Sequence, residues 1–365
     1  MENKSTVMAE YDNKYRLYQN FVSEIEHQLK NILKVEGIVY NAITFRLKDR
    51  ESLSKKIDRK NDKYAALGDL TDIAGVRVIT YYAGDVDKVA EIVEREFAID
   101  KENSIDKRDA LEPDRFGYCS VHYVVEMSQE RLNLREYQAY AGLKCEIQIR
   151  SVLQHAWAEI EHDLGYKSEI AVPKGIRRNF SRLAGLLEIA DKEFQEIRSL
   201  LQSYQNEATK KVACEEFQDS EIDAILLEAI ITSNPDIRTL NEIIRNCLDS
   251  PFFSEITTAA LEARINELHW LNIYTVSQLN HCIENNKDTA ALIAKEFLCE
   301  DTTKNKSTSK AIALFYICYA ELLRRKPDYG QILQYFEENN ISYGAERRDG
   351  ARRLFQLSKK INVQS

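Results

Sequence analysis

The chain has 365 residues, enough for about two domains. Its 50 Lys and Arg against 59 Asp and Glu give a net charge of −9, with 44% hydrophobic and 30% charged residues, and its 12 glycines and 5 prolines are too few for a collagen-like, all-β or disordered chain. No uninterrupted apolar run approaches a membrane span, the N-terminus lacks an apolar leader, and the seven scattered cysteines never form Cys-x-x-Cys; a cytoplasmic protein with reduced thiols and no membrane association is expected.

In chain order, Tyr11, Tyr15, Tyr18, Val22, Ile25, Leu29 and Ile32 recur every three or four residues and predict an amphipathic helix over 8–35, stopped near Gly37. Residues 39–48 alternate as a half-buried strand, with Thr44, Arg46 and Lys48 on one side and Ile43, Phe45 and Leu47 on the other. Ser52 is the expected cap of a following helix that clusters Lys55, Lys56, Arg59, Lys60 and Lys63. Between Arg46 and Lys63 stand eight basic residues against four acidic ones, a local excess that reads either as a solvated helix face or as a polyphosphate site.

Residues 70–81 form a short apolar β run introduced by Asp72 and Gly75, a helix is predicted over 85–97, and the charged stretch 100–115 with Pro113 reads as a loop. Residues 116–125 read as a turn feeding a strand. The strand at 143–150 places Glu146, Gln148 and Arg150 on one face and Cys145, Ile147 and Ile149 on the other. A helix over 152–167 follows and brings His155, Glu159 and His162 to one side, at a spacing unlike that of zinc hydrolases. Pro173 marks a break before an amphipathic helix over 175–204.

No glycine lies between Gly185 and Gly330, so the remainder reads as packed helices, at least four of them, with a loop at 301–310. Residues 271–279 read as an ordinary helix–turn–helix connection. The expected organisation is an N-terminal helix (1–40), an α/β domain with a trailing helix (41–205) and an all-α C-terminal domain (206–365).

A carboxylate pair from two strands, Asp72 and Glu146, beside a basic cluster suits Mg²⁺-assisted phosphoryl or nucleotidyl transfer, without any Gly-x-x-x-x-Gly-Lys-Ser/Thr loop. Residues 43–63, Asp72-Ile73-Ala74-Gly75-Val76-Arg77, Gly117-Tyr118-Cys119-Ser120-Val121-His122 and Glu146-Ile147-Gln148-Ile149-Arg150, followed by His155 to Lys167, closely resemble the synthetase domain of the RelA/SpoT family of alarmone synthetases. The resemblance covers roughly residues 40–170. It implies a mixed sheet of the nucleotidyltransferase-like kind and transfer of pyrophosphate from ATP to the 3′-hydroxyl of GDP or GTP, giving (p)ppGpp and AMP.

Carried over by position, the resemblance makes Arg46 and Arg77 the adenine clamp and Lys48, Lys56 and Arg59 the ATP-phosphate ligands. Asp72 and Glu146 become the Mg²⁺ ligands, with Glu146 also the base. Tyr118, Ser120, His122, Gln148, Arg150 and His155 fall to the acceptor nucleotide. The acceptor loop departs from the usual pattern, with Asp114-Arg115-Phe116 before Gly117-Tyr118 and Cys119 after it. That leaves a second acceptor open, the 3′ end of tRNA, as in toxin-type relatives. The resemblance also implies a stand-alone synthetase with no hydrolase module ahead of it. It leaves room for a homo-oligomer and for a protein partner of the helical part.

Overall fold

The computed structural model describes residues 2–59, 64–106, 120–164, 173–213, 218–248, 253–299, 309–342 and 344–361. The chain divides into two compact units, Met1–Ser199 and Leu200–Ser365.

In the first unit, helix α1 (Glu2–Val35) precedes strand β1 (Tyr40–Leu47), helix α2 (Arg50–Arg59), strand β2 (Ala74–Thr80) and helix α3 (Ala83–Glu96). Then come β3 (Phe97–Ile99), β4 (Ile105–Asp106), β5 (Val121–Met127), the single turn α4 (Gln129–Leu132), β6 (Cys145–Ser151), α5 (Val152–Asp163) and the long α6 (Lys174–Ala213). The six strands make one mixed sheet in the order β1-β2-β6-β5-β3, with β4 paired to β5. Only β2 and β6 are parallel, the other pairings being antiparallel.

The alternation read from the sequence decides which face of the sheet is core. Cys145, Ile147 and Ile149 are fully buried, as are Val76, Val78, Val121 and Val125 in the neighbouring strands. Phe21, Val22, Ile25 and Leu29 of α1 and Val86, Val89 and Val93 of α3 complete this core. The opposite face keeps the polar side chains of β1, β2, β5 and β6 and carries the candidate site.

Several local features differ from expectation. Helix α2 is capped by Asp49, whose Oδ1 accepts the Ser52 amide at 2.8 Å, so Ser52 is not the cap. Short strands β3 and β4 lie beside and within the stretch read as a loop, where two or three backbone pairings to β5 suffice. Ser151 caps α5, its hydroxyl accepting the Gln154 amide at 3.1 Å while the Gln154 side chain accepts the Ser151 amide at 2.9 Å. Helix α6 runs nine residues past the expected end at 204.

One face of α6 holds the first unit together. Asp191 accepts the buried Ser151 hydroxyl at 2.7 Å, Phe180 meets Trp157 edge-on at 5.6 Å, and Arg198 pairs with Asp85 at 2.5 Å while lying over the Tyr82 ring. Asp85 is 2% exposed. Asp85→Ala strands the half-buried Arg198 charge and is expected to cost about 3 kcal/mol, lowering the melting temperature by roughly 6–10 °C in calorimetry.

The second unit is helical among its described residues: α7 (Ala224–Ser233), α8 (Pro235–Leu248), α9 (Thr258–Trp270), α10 (Val276–Cys299), α11 (Ile312–Arg324), α12 (Tyr329–Glu338) and α13 (Gly344–Ile361). Helix α11 is buried along nearly its whole length, the signature of a central helix. Glu267, on α9, is fully buried against Arg264, and burial raises its pKa to about 7. The turn between α9 and α10 places Asn272 at φ 55°, a left-handed position that asparagine tolerates. No helix among the described residues is long and apolar enough to cross a membrane.

Candidate functional site

Register aligns the polar face in two adjoining rows. Thr44, Arg77, Gln148 and His122 stand side by side across β1, β2, β6 and β5, and Arg46, Gly75, Glu146 and Val124 form the next row. Gly75 therefore leaves an opening between Arg46 and Glu146. A Cβ added there would meet only the Glu146 carbonyl oxygen at 3.8 Å and Arg46 atoms at 3.9 Å, ordinary contacts. Gly75→Val is accordingly expected to keep its melting temperature near that of the parent. Its longer side chain occupies the opening and should cut activity by roughly 100-fold.

Glu146 sits in a continuous chain of polar contacts. The Ser120 hydroxyl is 2.6 Å from His122 Nε2, and His122 Nδ1 is 2.9 Å from Glu146 Oε1. Gln148 Nε2 donates to Glu146 Oε2 at 3.0 Å, and Arg150 Nη2 donates to Gln148 Oε1 at 2.6 Å. Arg150 has only donors, so it fixes which end of the Gln148 amide faces Glu146. Both carboxylate oxygens of Glu146 are thus oriented by side chains on the same sheet face. The strand period of two accounts for half of this arrangement and the pairing of β5 with β6 for the other half.

Asp72 lies in the turn before β2, where the Lys48 amide donates to the Ile73 carbonyl at 2.8 Å. Its Oδ2 receives Lys48 Nζ at 3.0 Å and Lys56 Nζ at 2.7 Å, one ammonium from the end of β1 and one from α2. Its Oδ1 is buried and has no hydrogen-bond partner. Beside it opens a pocket of about 530 Å³ lined by Arg46, Leu47, Lys48, Asp49, Ser52, Lys55, Lys56, Arg59, Asp72 and His162. Five cations against two carboxylates make it electropositive, so the clustered charges of 46–59 face a shared cavity, more than a solvated helix surface. Arg50 takes no part in the lining; it pairs with Asp12 at 3.0 Å.

A third group surrounds Arg77. Its Nη1 lies 3.0 Å from Glu159 Oε1, and His155 Nδ1 stands 3.8 Å from the same oxygen, beyond hydrogen-bond reach. Burial lowers the His155 pKa, with the Arg77 charge adding to the effect, so the imidazole is neutral at pH 7. Arg150 is 5% exposed; burial, and secondarily Arg77, pulls it down to about 10, which leaves it a cation at neutral pH. Arg150 Nε and His155 Nδ1 are both buried without a hydrogen-bond partner.

Arg46, Lys48, Lys56, Arg59 and Asp72 therefore come together at the pocket, and Ser120, His122, Glu146, Gln148 and Arg150 in the polar chain. Arg77 and His155 gather around Glu159. Tyr118, with Cys119, Asp114 and Lys60 to Lys63, lies outside the described residues. Among the described residues no three His, Cys, Asp or Glu side chains gather as a metal site, and His162 lines the basic pocket. That placement of His162, and the contact of Glu159 with Arg77, were not assigned from the sequence. Helical spacing put them on one side of α5, but what that side faces is a tertiary fact.

Asp72 and Glu146 carry oxygen donors of the kind a hard divalent cation takes. Asp72 keeps a buried oxygen with no hydrogen-bond partner, and the Glu146 carboxylate supplies two more oxygens, which accept from His122 and Gln148. Two carboxylates with the rest of the sphere supplied by phosphate oxygens and water is a common arrangement for Mg²⁺.

Residues 45–171 match the family described as "Region found in RelA / SpoT proteins", a span lying wholly within the first unit. GTP pyrophosphokinase YjbM of Bacillus subtilis (strain 168) is 30% identical over 203 residues, 53% of this chain and 91% of that protein. GTP pyrophosphokinase YwaC of the same organism is 26% identical over 207 residues, 54% of this chain and 95% of that protein. A solved structure of a GTP pyrophosphokinase family protein from Streptococcus pneumoniae is 30% identical, covering 53% of this chain and 96% of that one, with a TM-score of 0.44.

Proposed function

The chain belongs to the RelA/SpoT family, and from that premise we propose that it is a GTP pyrophosphokinase, moving the β,γ-pyrophosphate of ATP to the 3′-hydroxyl of GDP or GTP. The observation that carries this reading is the placement of Glu146. It is oriented through both oxygens, in the row next to Arg77 and across the Gly75 opening from Arg46.

In this reading Arg46 and Arg77 hold the adenine ring by stacking of guanidinium planes, for which two cations on one sheet face flanking a glycine are suited. Lys48, Lys56 and Arg59 take the phosphates in the electropositive pocket. Asp72 and Glu146 hold Mg²⁺, which when bound neutralises phosphate charge and steadies the leaving group. Ser120, His122, Gln148, Arg150 and His155 face the acceptor, with Tyr118 as its stacking platform. Glu146 takes the proton of the acceptor 3′-hydroxyl as that oxygen bonds to the β-phosphorus and the α–β bridging bond breaks, releasing AMP. Orientation of Glu146 by His122 and Gln148 is what this chain contributes most visibly, since phosphoryl chemistry of this type depends chiefly on positioning and electrostatics.

The test is incubation of the purified protein with ATP, Mg²⁺ and GDP or GTP, with nucleotides separated by ion exchange. Guanosine 3′-pyrophosphate is expected, with an equal yield of AMP. AMP formed only when tRNA is added would overturn the nucleotide acceptor in favour of the tRNA 3′ end.

A further inference from the structure

Arg77 is held by a residue that has no part in the transfer chemistry. Its neighbours across the sheet, Thr44 and Gln148, carry no charge, and Gln148 already donates to Glu146 and accepts from Arg150. The carboxylate that meets Arg77 comes from outside the sheet: Glu159 of α5, whose Oε1 lies 3.0 Å from Nη1. His155 stays 3.8 Å from this oxygen and does not take it from Arg77.

The helix that carries Glu159 is firmly placed. Ser151 is both the last residue of β6 and the cap of α5, so no loop separates strand from helix, and the buried Trp157 packs edge-on against Phe180. Glu159 is thereby positioned by the same strand that bears Glu146, Gln148 and Arg150. Its side chain is 55% exposed and that of Arg77 25%, and an ion pair so open to water adds little to the stability of a fold. What such a pair does is fix direction. A carboxylate on an edge nitrogen restrains a long side chain of many rotamers and leaves both flat faces of the guanidinium open, and a flat face is what stacks on a purine ring. Arg46, the other arm of the clamp, is exposed and has no ion pair among the described residues. One arm is therefore set before the nucleotide arrives, while the other has no such restraint.

We propose that Glu159 is a positioning residue for ATP: it holds the Arg77 guanidinium in the orientation that receives the adenine, and it acts on the donor nucleotide only. The inference rests on the reading of Arg77 as half of the adenine clamp.

Glu159→Gln keeps the shape and removes the charge. It is expected to raise the KM for ATP, and the dissociation constant of a non-transferable ATP analogue, by roughly three- to tenfold, the order expected for one long side chain left unordered before binding. The kcat, the KM for GDP and the melting temperature should stay near those of the parent. Glu159→Asp, charged but shorter, should recover part of the loss. In an Arg77→Ala background Glu159→Gln should add nothing, because no guanidinium is left to hold. Unchanged or tighter analogue binding by the Glu159→Gln protein, a loss that persists in full in the Arg77→Ala background, or a rise in the KM for GDP in place of that for ATP would overturn the proposal and leave the proposed function standing. Arg77→Ala protein that binds the analogue as tightly as the parent would overturn the clamp itself, and the proposal with it. Failure to transfer to GDP would count against the function, and the analogue-binding measurements would still decide the role of Glu159.

Discussion

Glu146→Gln is expected to cut pyrophosphate transfer by roughly 10³-fold or more, with ATP affinity changed by no more than about threefold. The substitution preserves shape and removes the charge proposed to accept the 3′-hydroxyl proton. It also disturbs the contacts on either side, because a carboxylate accepts from both His122 and Gln148, at 2.9 and 3.0 Å, while an amide has only one accepting end. His122 keeps its contact only by changing to the tautomer whose Nδ1 accepts, so the proton arrangement of the polar chain changes together with the loss of basicity. ATP contacts assigned to Arg46, Lys48, Lys56 and Arg59 are untouched. Equilibrium binding of a non-transferable ATP analogue beside single-turnover rates separates the two effects. A variant turning over within tenfold of the parent would show that Glu146 is not the base.

Asp72→Asn is expected to lower turnover by roughly 10²–10³-fold and to raise the Mg²⁺ concentration needed for half-maximal rate. Its effect on ATP binding should have the opposite sign. Oδ2 of Asp72 holds the ammonium groups of Lys48 and Lys56 at 3.0 and 2.7 Å, so loss of its charge leaves two cations facing a common space. An incoming triphosphate then no longer competes with a carboxylate for those lysines, and ATP affinity is held or improved while turnover falls. Rates measured over a Mg²⁺ titration, with nucleotide binding measured alongside, check this. An unchanged Mg²⁺ dependence would remove Asp72 from the cation site.

Much of this was legible because strands announce their faces. The alternation through residues 145–150 predicts a buried Cys145, Ile147 and Ile149 opposite Glu146, Gln148 and Arg150, and all three apolar residues are fully buried. Arg46 emerges on the polar side of β1 for the same reason, with Lys48 just past the end of the strand. What eluded the sequence depends on partners far along the chain. Arg50 was counted with the basic cluster but binds Asp12 on α1, 38 residues away, which no local spacing reveals. The cap of α2 moved from Ser52 to Asp49 because two candidate capping residues stand three apart and only the backbone path selects between them. Strands β3 and β4 are too short for a periodic signal and exist through their pairing with β5. In the helical unit, freedom from glycine announced helices, but not the burial of Glu267, a charged residue at a position that its neighbours alone make core.

His122 and Gln148 both contact Glu146, and Arg150 contacts Gln148. The polar chain from Ser120 to Arg150 thus links the residues proposed to hold the acceptor to Glu146. Attack by the acceptor oxygen on the β-phosphorus, and not the γ-phosphorus, is the chemical statement on which the account depends.

The measurement that tests it most directly is a single-turnover reaction of the purified protein with ATP labelled at both the β- and γ-phosphates and unlabelled GDP. Both labels are predicted to appear together on the guanosine 3′-oxygen, with one AMP released per product and no ADP. Transfer of the γ-label alone with release of ADP, or no transfer to the nucleotide at all, would contradict the account.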